Sequence, residues 1–452
     1  MPEVLKERIR EVFAREVERT TNPFSYRLGL FLVTIVMIIL PLLYVGIIAG
    51  ASWGLYYHVE HHQDWLDVEG NLRSYPYSTR RTSYGFILYA APILVGGTLV
   101  LFMVTPLIPR FSKRARPLYT ITRENEPVFY DYIEQICRSV YTPMPREIQL
   151  IMEPNAFAGF RRGFLSFFIP NDLTLAIGLP LINSLSVQKL SGIIAHEMGH
   201  FTQGTGMRLS YIISSIHRWF YRAVYEPNIV QDKLMEMVED NDRKPAGVAI
   251  ILLCSMLFIG LTKLVLMALM SIGYLVSNFL SRRMEYDADC YEVQVAGSRA
   301  FESAMYSLLM LNKAFGDAFL MSRAVYRKGM LCEDMPALVK FRAKLYARKK
   351  KEDFINETLV DDTRLLDTHP SARDRIAHAR RLNQKGICQI REPVSDLFRD
   401  FKALSANLSR SFYLINLDAD LVTQSRLLSV QEFLECFELE RIDQRVCLVE
   451  IL

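Results

Sequence analysis

Long uncharged stretches alternate with charged ones in the first quarter of the chain. Leu28 to Gly50 and Tyr84 to Ile108 contain no charged residue. Each is long enough to cross roughly 30 Å of hydrocarbon as a helix. Pro41, inside the first stretch, would end a helix in water but is tolerated in a membrane, where neighbouring helices satisfy the freed carbonyl. We therefore predict two transmembrane helices.

A third apolar stretch runs from Gly247 to Leu280 and is interrupted by one charged residue, Lys263. At 1.5 Å per residue, its roughly 34 residues would form a helix about 50 Å long, which exceeds the thickness of one bilayer. We predict that this helix begins in the membrane and projects into the cytoplasm. Lys263 then either snorkels to the interface or lines a polar cavity.

Lysine and arginine are unevenly distributed around the first two apolar stretches. Six of them precede the first stretch, and four follow the second closely, at positions 110, 113, 114 and 116. Only three lie between the stretches, at positions 73, 80 and 81. The positive-inside rule then places the N-terminus and the segment after residue 110 in the cytoplasm, which predicts that the later segments of the chain face the cytoplasm.

Between about residues 112 and 200 the pattern becomes that of an α+β domain. Three short β-type runs are bounded by turn-forming residues: Ile148 to Met152, Asn155 to Phe160 and Leu173 to Ile177. Pro180 to His200 has helical spacing, with Ser186 as a plausible N-cap.

The predicted helix carries the sequence His196-Glu197-Met-Gly-His200. Two histidines four residues apart project from one face of a helix and can bind one tetrahedral metal ion. Glu197 lies roughly 100° round the helix from His196, close enough to act on a water molecule at that ion as a general base. The flanking residues are apolar, as a buried site requires. We interpret the segment as a metal site rather than a charged helix surface.

A catalytic zinc also needs a third protein ligand. The histidine that some zinc peptidases supply shortly after the motif is missing, because Phe201, Thr202 and Gln203 follow His200. A carboxylate is therefore needed. Glu285 is the best candidate, since Asp289 lies one turn further on and can orient a ligand histidine through its N–H group. The alternative is that these acidic residues form a solvated helix face.

These segments together resemble a known family, the integral-membrane zinc peptidases that include the heat-shock protease HtpX and the CAAX prenyl endopeptidases. The resemblance is carried by four segments in the family's order: Asn155-Ala156-Phe157-Ala158, Ala195 to His200, Glu285 to Asp289, and Thr368 to Ser371 with Arg375-Ile376. The resemblance implies one Zn²⁺ per chain, held by His196, His200 and Glu285, with Glu197 as base and Asp289 orienting a histidine. It also implies that Asn155 to Ala158 form an edge strand on which a polypeptide substrate binds as an added β-strand.

His369 and Arg375 lie where the family keeps a histidine and an arginine beside the metal. Either side chain could stabilise the negatively charged oxygen that develops during peptide hydrolysis. Arg375 could instead brace Glu285 or Asp289, and His369 could be a structural cap.

The metal ligands constrain the number of membrane crossings. If residues 196, 200 and 285 bind one ion, the chain between them crosses the membrane an even number of times. Leu209 to Val224 is apolar but carries His217, Arg218 and Arg222, so it is a poor lipid-facing span. Either this segment and the third apolar stretch both cross, or neither does. The charge pattern favours both, giving four spans.

The chain as a whole is predicted to be mostly α-helical with a small mixed β-sheet, combining transmembrane helices with a zincin-like metallopeptidase domain. We divide it into the following parts: 1–118, a surface helix and two transmembrane helices; 119–207, the first half of the catalytic domain; 208–280, a membrane-associated helical hairpin; 281–390, the second half of the catalytic domain; and 391–452, a separate helical extension.

Composition agrees with this prediction. Half of the residues are hydrophobic, which indicates a membrane portion. A net charge of only +4 over 452 residues, without a basic stripe, argues against nucleic acid as a partner. The seven cysteines are scattered and never form a C-x-x-C pair, which indicates reduced thiols.

A small group of histidines, His58, His61 and His62, lies near Trp53 in the sequence. These histidines could bind a metal loosely, but they are better explained as polar residues at the membrane interface.

We therefore expect a membrane-bound zinc endopeptidase of membrane protein quality control, with the lipid bilayer and a polypeptide substrate as partners. A CAAX-type processing protease is the alternative enzyme, although such proteins generally carry more spans. The alternative from a different class is a zinc-stabilised membrane scaffold or chaperone without hydrolytic activity. The pattern leaves the oligomeric state open.

Overall fold

The protein is described from a computed structural model. It describes residues 2–19, 24–63, 79–108, 118–162, 172–202, 205–226, 236, 246–349 and 369–438. The basic segment at 110–116, most of the acidic loop at 227–245, Thr368 and residues 439–452 lie outside the described residues.

Helices make up most of the described chain. In chain order they are α1 (Pro2–Phe13), α2 (Phe24–His61), α3 (Thr79–Val104), α4 (Pro127–Ser139), α5 (Leu179–Ser184), α6 (Val187–Gly199), α7 (Thr205–Tyr225), α8 (Ala246–Ala296), α9 (Ser298–Val325), α10 (Met335–Lys349), α11 (Ala372–Leu382), α12 (Phe401–Asn416) and α13 (Ala419–Gln424). The strands are β1 (Tyr119–Ile121), β2 (Glu147–Ile151), β3 (Ala156–Phe160), β4 (Leu173–Gly178), β5 (Met330–Cys332) and β6 (Arg426–Leu428).

Four strands form a mixed sheet in the order β1-β2-β4-β3. β2 and β4 are parallel, whereas β1 and β3 are antiparallel to their neighbours, and β3 lies at one edge. The three predicted β runs are confirmed as β2, β3 and β4. β1, β5 and β6 were not predicted, because strands of three residues are too short to show alternation.

Four helices, α2, α3, α7 and α8, pack into a bundle with its own apolar cluster, which includes Leu30, Tyr44, Phe220 and Leu266. Three of them contain segments long and apolar enough to cross a membrane: Phe24–His61, Tyr89–Leu107 and Leu253–Ala296. The outward face of α2 exposes large apolar side chains, as a lipid-facing helix does. The transmembrane prediction is confirmed in these three helices.

The helix α7 runs antiparallel to α8 inside this bundle. Ser210 contacts Met284, and the imidazole Nε2 of His217 lies 2.7 Å from the hydroxyl of Ser277. As the chain advances along α7, its contacts therefore move backwards along α8. This antiparallel pairing fits both alternatives for the number of crossings, and α7 is not among the described helices that are long and apolar enough to cross a membrane, so four spans stay a prediction.

α8 connects the bundle to the catalytic domain. It is one helix of 51 residues, roughly 77 Å long at 1.5 Å per residue. Its first part packs against α2, α3 and α7, and its last part packs against α6. The third apolar stretch thus continues without interruption into the segment that carries Glu285 and Asp289, in agreement with the prediction that it extends beyond the membrane.

Both ends of the described chain pack into the core of the catalytic domain. α1 buries Leu5, Ile9 and Phe13 there, and its Arg10 pairs with Asp131 of α4 at 2.9 Å. The segment after residue 391 also contributes buried side chains, and its β6 pairs with β5. The expectation of a separate helical extension is therefore corrected for residues 392–438, because their apolar side chains complete the core of the domain.

The predicted helix from Pro180 to His200 is interrupted. Ser186 is extended and caps α6 by accepting a hydrogen bond from the Lys189 amide, as predicted. The amides of Val187 and Gln188 donate to the carbonyls of residues 392 and 390. The C-terminal region thus satisfies N–H groups at the start of the helix that carries the metal motif, and two short helices form where one was expected.

α6 approaches α8 closely because two glycines face it. A methyl group on Gly192 would lie 2.7 Å from the Cβ atom of Ala296, and one on Gly199 would lie 2.9 Å from the ring of Tyr291. Both distances are shorter than van der Waals contact. The small residues therefore set the separation of the two helices.

We expect Gly192→Ala to push α6 away from α8 and to destabilise the protein by about 1–3 kcal/mol, the usual cost of overpacking a core. Gly316→Ala in α9 is the control, because open space surrounds that position. Thermal unfolding in detergent measures both. Equal stability of the two variants would contradict the proposed packing constraint.

Candidate metal centre

The two histidines of α6 face Glu285 of α8. The imidazole Nε2 of His196 lies 3.6 Å from one carboxylate oxygen of Glu285, and that of His200 lies 3.8 Å from the other. The ligand atoms of the three residues lie within 4.8 Å of one another. The structure thus brings together the three residues expected as ligands, two from α6 and one from α8.

This group fits a zinc ion in donor type and spacing. Two imidazoles and a carboxylate are a common zinc ligand set, and ligand distances of about 2.0–2.1 Å around a tetrahedral ion place the ligand atoms roughly 3.3 Å apart. The separations from Glu285 are only a few tenths of an ångström larger. His196 and Glu285 are buried.

Asp289 and Arg375 lie on the other side of His196. The Nδ1 atom of His196 is 3.1 Å from an oxygen of the fully buried Asp289, so its Nε2 atom is the one directed at Glu285. Arg375, on α11, donates to Asp289 from Nε at 3.0 Å and from Nη2 at 2.5 Å. The guanidinium of Arg375 is thus held by Asp289. This contact corresponds to the expectation that Arg375 braces Asp289.

The electrostatics of the two histidines differ. Burial opposes a charge on His196, but its hydrogen bonds with Asp289 and Glu285 raise its pKa to about 10. Burial, aided by the charge of His196, lowers the pKa of His200 to about 4. For Arg375, burial is outweighed by Asp289, which raises the pKa further. A positive ion bound between the imidazoles would displace the proton from His196.

Glu197 lies beside the ligands without being one of them in this arrangement. One of its carboxylate oxygens accepts a hydrogen bond from the amide of Ala158 in β3, at 3.3 Å. Burial raises the pKa of Glu197, and the charge of His196 partly opposes this. A carboxylate with a raised pKa accepts and returns a proton more readily near neutral pH.

His369 reaches the site from the loop before α11. Its Nδ1 atom lies 2.9 Å from Glu285, although 69% of its side chain is exposed. The hydrogen bond to Glu285 raises the pKa of His369. Two residues later, Ser371 caps α11 by accepting from the Asp374 amide at 3.1 Å. The cap of α11 is therefore Ser371, and His369 contacts an expected metal ligand.

Glu292 was not predicted from the sequence. It is buried on α8, and its carboxylate lies 3.7 Å from Nδ1 of His196, next to Asp289. The signal that could have found it is spacing, since residues seven apart on a helix share one face with the residue between them. Its burial on the face of Glu285 and Asp289 distinguishes it from a solvated residue.

The segment from Asn155 to Ala158 is brought to the same site. Ala156, Phe157 and Ala158 belong to the edge strand β3, and the Asn155 side chain accepts a hydrogen bond from the Ala156 amide at 2.9 Å. The carbonyl of Asn155 and the amide of Arg161 face β4, bonding to Gly178 and Asp172. Because these directions alternate, the backbone groups of residues 156, 158 and 160 face the open edge.

The histidines at the end of α2 do not form a metal cluster among the described residues. Ring nitrogens of His58, His61 and His62 each lie 3.1–3.3 Å from a backbone carbonyl. The described groups able to hold an ion all include His196.

Comparison with known proteins identifies the family. The model of peptidase family M48 matches residues 125–383, more than half of the chain. The chain belongs to peptidase family M48. This stretch contains both segments of the metal site and the His369 loop.

Several M48 relatives are bacterial proteases. The chain is 23% identical over 232 residues to Protease HtpX of Stutzerimonas stutzeri, covering 50% of this chain and 72% of that protein. It is 26% identical, with the same coverage, to Protease HtpX of Pseudomonas paraeruginosa. A Protease HtpX homolog of Prosthecochloris aestuarii is 22% identical, covering 47% of this chain and 68% of that protein. No solved structure shows significant similarity.

The resemblance to this family is therefore confirmed, and with it the expected class of enzyme. The M48 domain, its relatives and the apolar helices identify a membrane-bound metalloprotease.

We expect Asp289→Asn to lower the affinity for Zn²⁺ about 10- to 100-fold, the usual effect of removing a carboxylate that holds a ligand histidine. Competition with a chromophoric chelator measures this affinity. The control is Asp420→Asn, which changes an exposed aspartate on α13. An unchanged affinity in Asp289→Asn would show that Asp289 does not support the metal site.

Proposed function

We propose that this M48 peptidase is a zinc endopeptidase whose metal is held by His196, His200 and Glu285. The observation that carries the proposal is the meeting of these three ligand atoms within one group, with Glu197 beside them. Zinc, when bound, supplies a Lewis acid that activates water and polarises the scissile carbonyl. The described residues form a second group able to hold an ion, His196 with Asp289 and Glu292, but it shares His196 with the first, which supports one ion per chain.

Glu197 acts as general base and then as general acid. It takes a proton from the attacking water and returns it to the departing amine nitrogen, so the carboxylate ends in its starting state. Its hydrogen bond with the Ala158 amide fixes the carboxylate next to the edge strand. A peptide on that strand would place its scissile bond beside this base.

Three side chains position these groups. Asp289 holds Nδ1 of His196, and Arg375 neutralises Asp289 while remaining largely buried. His369 holds Glu285 from the exposed side of the site. We assign His369 and Arg375 positioning roles, since each contacts a carboxylate of α8.

The substrate is a polypeptide bound as an added strand on β3. The carbonyls of residues 156, 158 and 160 at the open edge can accept hydrogen bonds from an extended chain, whereas the amides of Ala156 and Ala158 already donate to Asn155 and Glu197. Main-chain pairing tolerates many side chains, which suits an enzyme that clears damaged proteins. The position of the domain next to its membrane bundle supports membrane protein quality control as the role.

The active site faces the cytoplasm in this proposal. Because α1 packs on the catalytic domain, the N-terminus and the active site lie on the same side of the membrane. The basic residues that flank the first two apolar stretches support the cytoplasm as that side, and the bacterial HtpX relatives support an inner membrane.

The decisive test is cleavage of casein or a destabilised membrane protein by the detergent-purified chain. We expect Glu197→Gln to lower the rate at least about 1,000-fold while Zn²⁺ stays bound, because the base is lost and no ligand is removed. Activity and metal content are measured on the same sample. Equal cleavage by wild type and Glu197→Gln would refute the proposal and favour a non-catalytic scaffold.

Binding as a strand predicts a pattern with a period of two in the substrate. We expect N-methylation of every second peptide nitrogen near the scissile bond to lower kcat/KM at least about 10-fold, because those N–H groups pair with β3. N-methylation of the intervening nitrogens, which face solvent, is the matched control. Equal effects at all positions would rule out strand pairing.

A further inference from the structure

The end of the edge strand leads to a cationic and aromatic surface on α7. The ring of Phe160, the last residue of β3, packs edge-on against Tyr211 with ring centroids 4.8 Å apart. The guanidinium of Arg218 lies over the same tyrosine ring, 5.5 Å from its centroid. We call Phe160, Tyr211 and Arg218 the α7 subsite.

Arg218 is exposed and points back along α7 towards the active-site end of the helix. It is two turns beyond Tyr211, and its Nη2 atom donates to the hydroxyl of Ser215 at 3.0 Å. α7 contains no acidic residue, and no carboxylate pairs with Arg218 among the described residues. The guanidinium of Arg218 thus contacts the Tyr211 ring and the Ser215 hydroxyl, and neither group neutralises its positive charge.

Tyr211 of the α7 subsite lies near the membrane boundary on the active-site side, and the backbone of Arg218 lies two turns deeper, next to His217, which contacts Ser277. Ser210 contacts Met284, and Arg283 lies over the Tyr26 ring at the start of α2. The uncharged stretch of α2 begins just after this level, at Leu28. An arginine at this depth keeps its stem along the helix and its charged head near the water.

We propose that the α7 subsite binds an acidic residue of the polypeptide substrate, which makes Arg218 a specificity-determining residue. The inference rests on the proposed function, in which the substrate lies along β3. A peptide paired with Ala158 continues past Phe160, and the two ring contacts place the guanidinium within about three extended residues of that point at roughly 3.3 Å each. The fork of Arg218 can then form a bidentate pair with a carboxylate.

The geometry sets the position of this acidic residue. It lies about three to six residues from the scissile bond, on one side of it only, because β3 runs past the metal towards α7 in one direction. Which side this is depends on the direction in which the peptide pairs. A scan of both sides therefore gives the strand direction as well.

The test uses the full-length protein in detergent and a set of otherwise identical neutral peptides. Glutamate or glutamine is placed in turn at each position within eight residues of the cleavage site, and the ratio of their kcat/KM values is measured. We expect wild type to prefer glutamate at least about 10-fold at one or two positions on one side, less so at high salt. Arg218→Gln should reduce this ratio to below about 2. Arg218→Glu should instead prefer peptides that carry lysine at the same positions.

Controls separate the possible outcomes. Arg410→Gln, at an exposed position of α12, should keep the wild-type ratio. Arg218→Lys retains the charge and should keep part of the preference even if Arg218→Gln folds poorly. A wild-type ratio near 1 at every position, or a ratio unaffected by Arg218→Gln, overturns the inference. The inference is also overturned if no peptide preference is found and the activity of wild type, but not of Arg218→Gln, depends on anionic lipid. That outcome assigns the site to a lipid headgroup.

If wild type cleaves none of these peptides, or Glu197→Gln cleaves them equally, the proposed function fails instead. Cleavage that depends on Glu197 but shows no preference for an acidic residue rejects the α7 subsite alone.

Discussion

The close packing of α6 on α8 is the contact on which the rest of the site depends. His200 and Glu285 are 85 positions apart in the chain, and they meet because Gly192 and Gly199 allow the two helices to approach without intervening side chains. α8 also packs against each of the other three helices of the membrane bundle. The position of the metal ligands is therefore coupled to the packing of helices in the bilayer, and a shift of α8 would move Glu285 relative to both histidines.

The same contact concentrates charge in a buried place. Glu285, Asp289 and Glu292 come from one face of α8, and burying three carboxylates would be costly without nearby positive charge. Arg375 supplies one permanent cation, and the proposed metal ion supplies the rest. Such groups are stabilised only as a set, because removing one partner leaves another buried and unpaired. Asp289 is central, since it contacts both His196 and Arg375.

The two ends of the described chain act on the site indirectly. Backbone carbonyls at residues 390 and 392 accept the first amides of α6, and α1 packs against α4 next to this region. Arg8 of α1 also pairs with Glu392. The C-terminal region therefore helps to fix where α6 begins. This role leaves no motif in the sequence, because main-chain carbonyls make the contacts and any residue supplies one.

The sequence by itself determined the features that depend on local periodicity. Uncharged stretches predicted the membrane helices, alternation predicted β2, β3 and β4, and the spacing of His196 and His200 placed both on one helix face. Only the tertiary structure decided contacts between distant segments: Glu292 beside His196, Arg375 on Asp289, and Arg218 near the end of β3. The physical reason is that helix and strand geometry fixes neighbours within a few residues, whereas the partners of a side chain across the fold are set by packing.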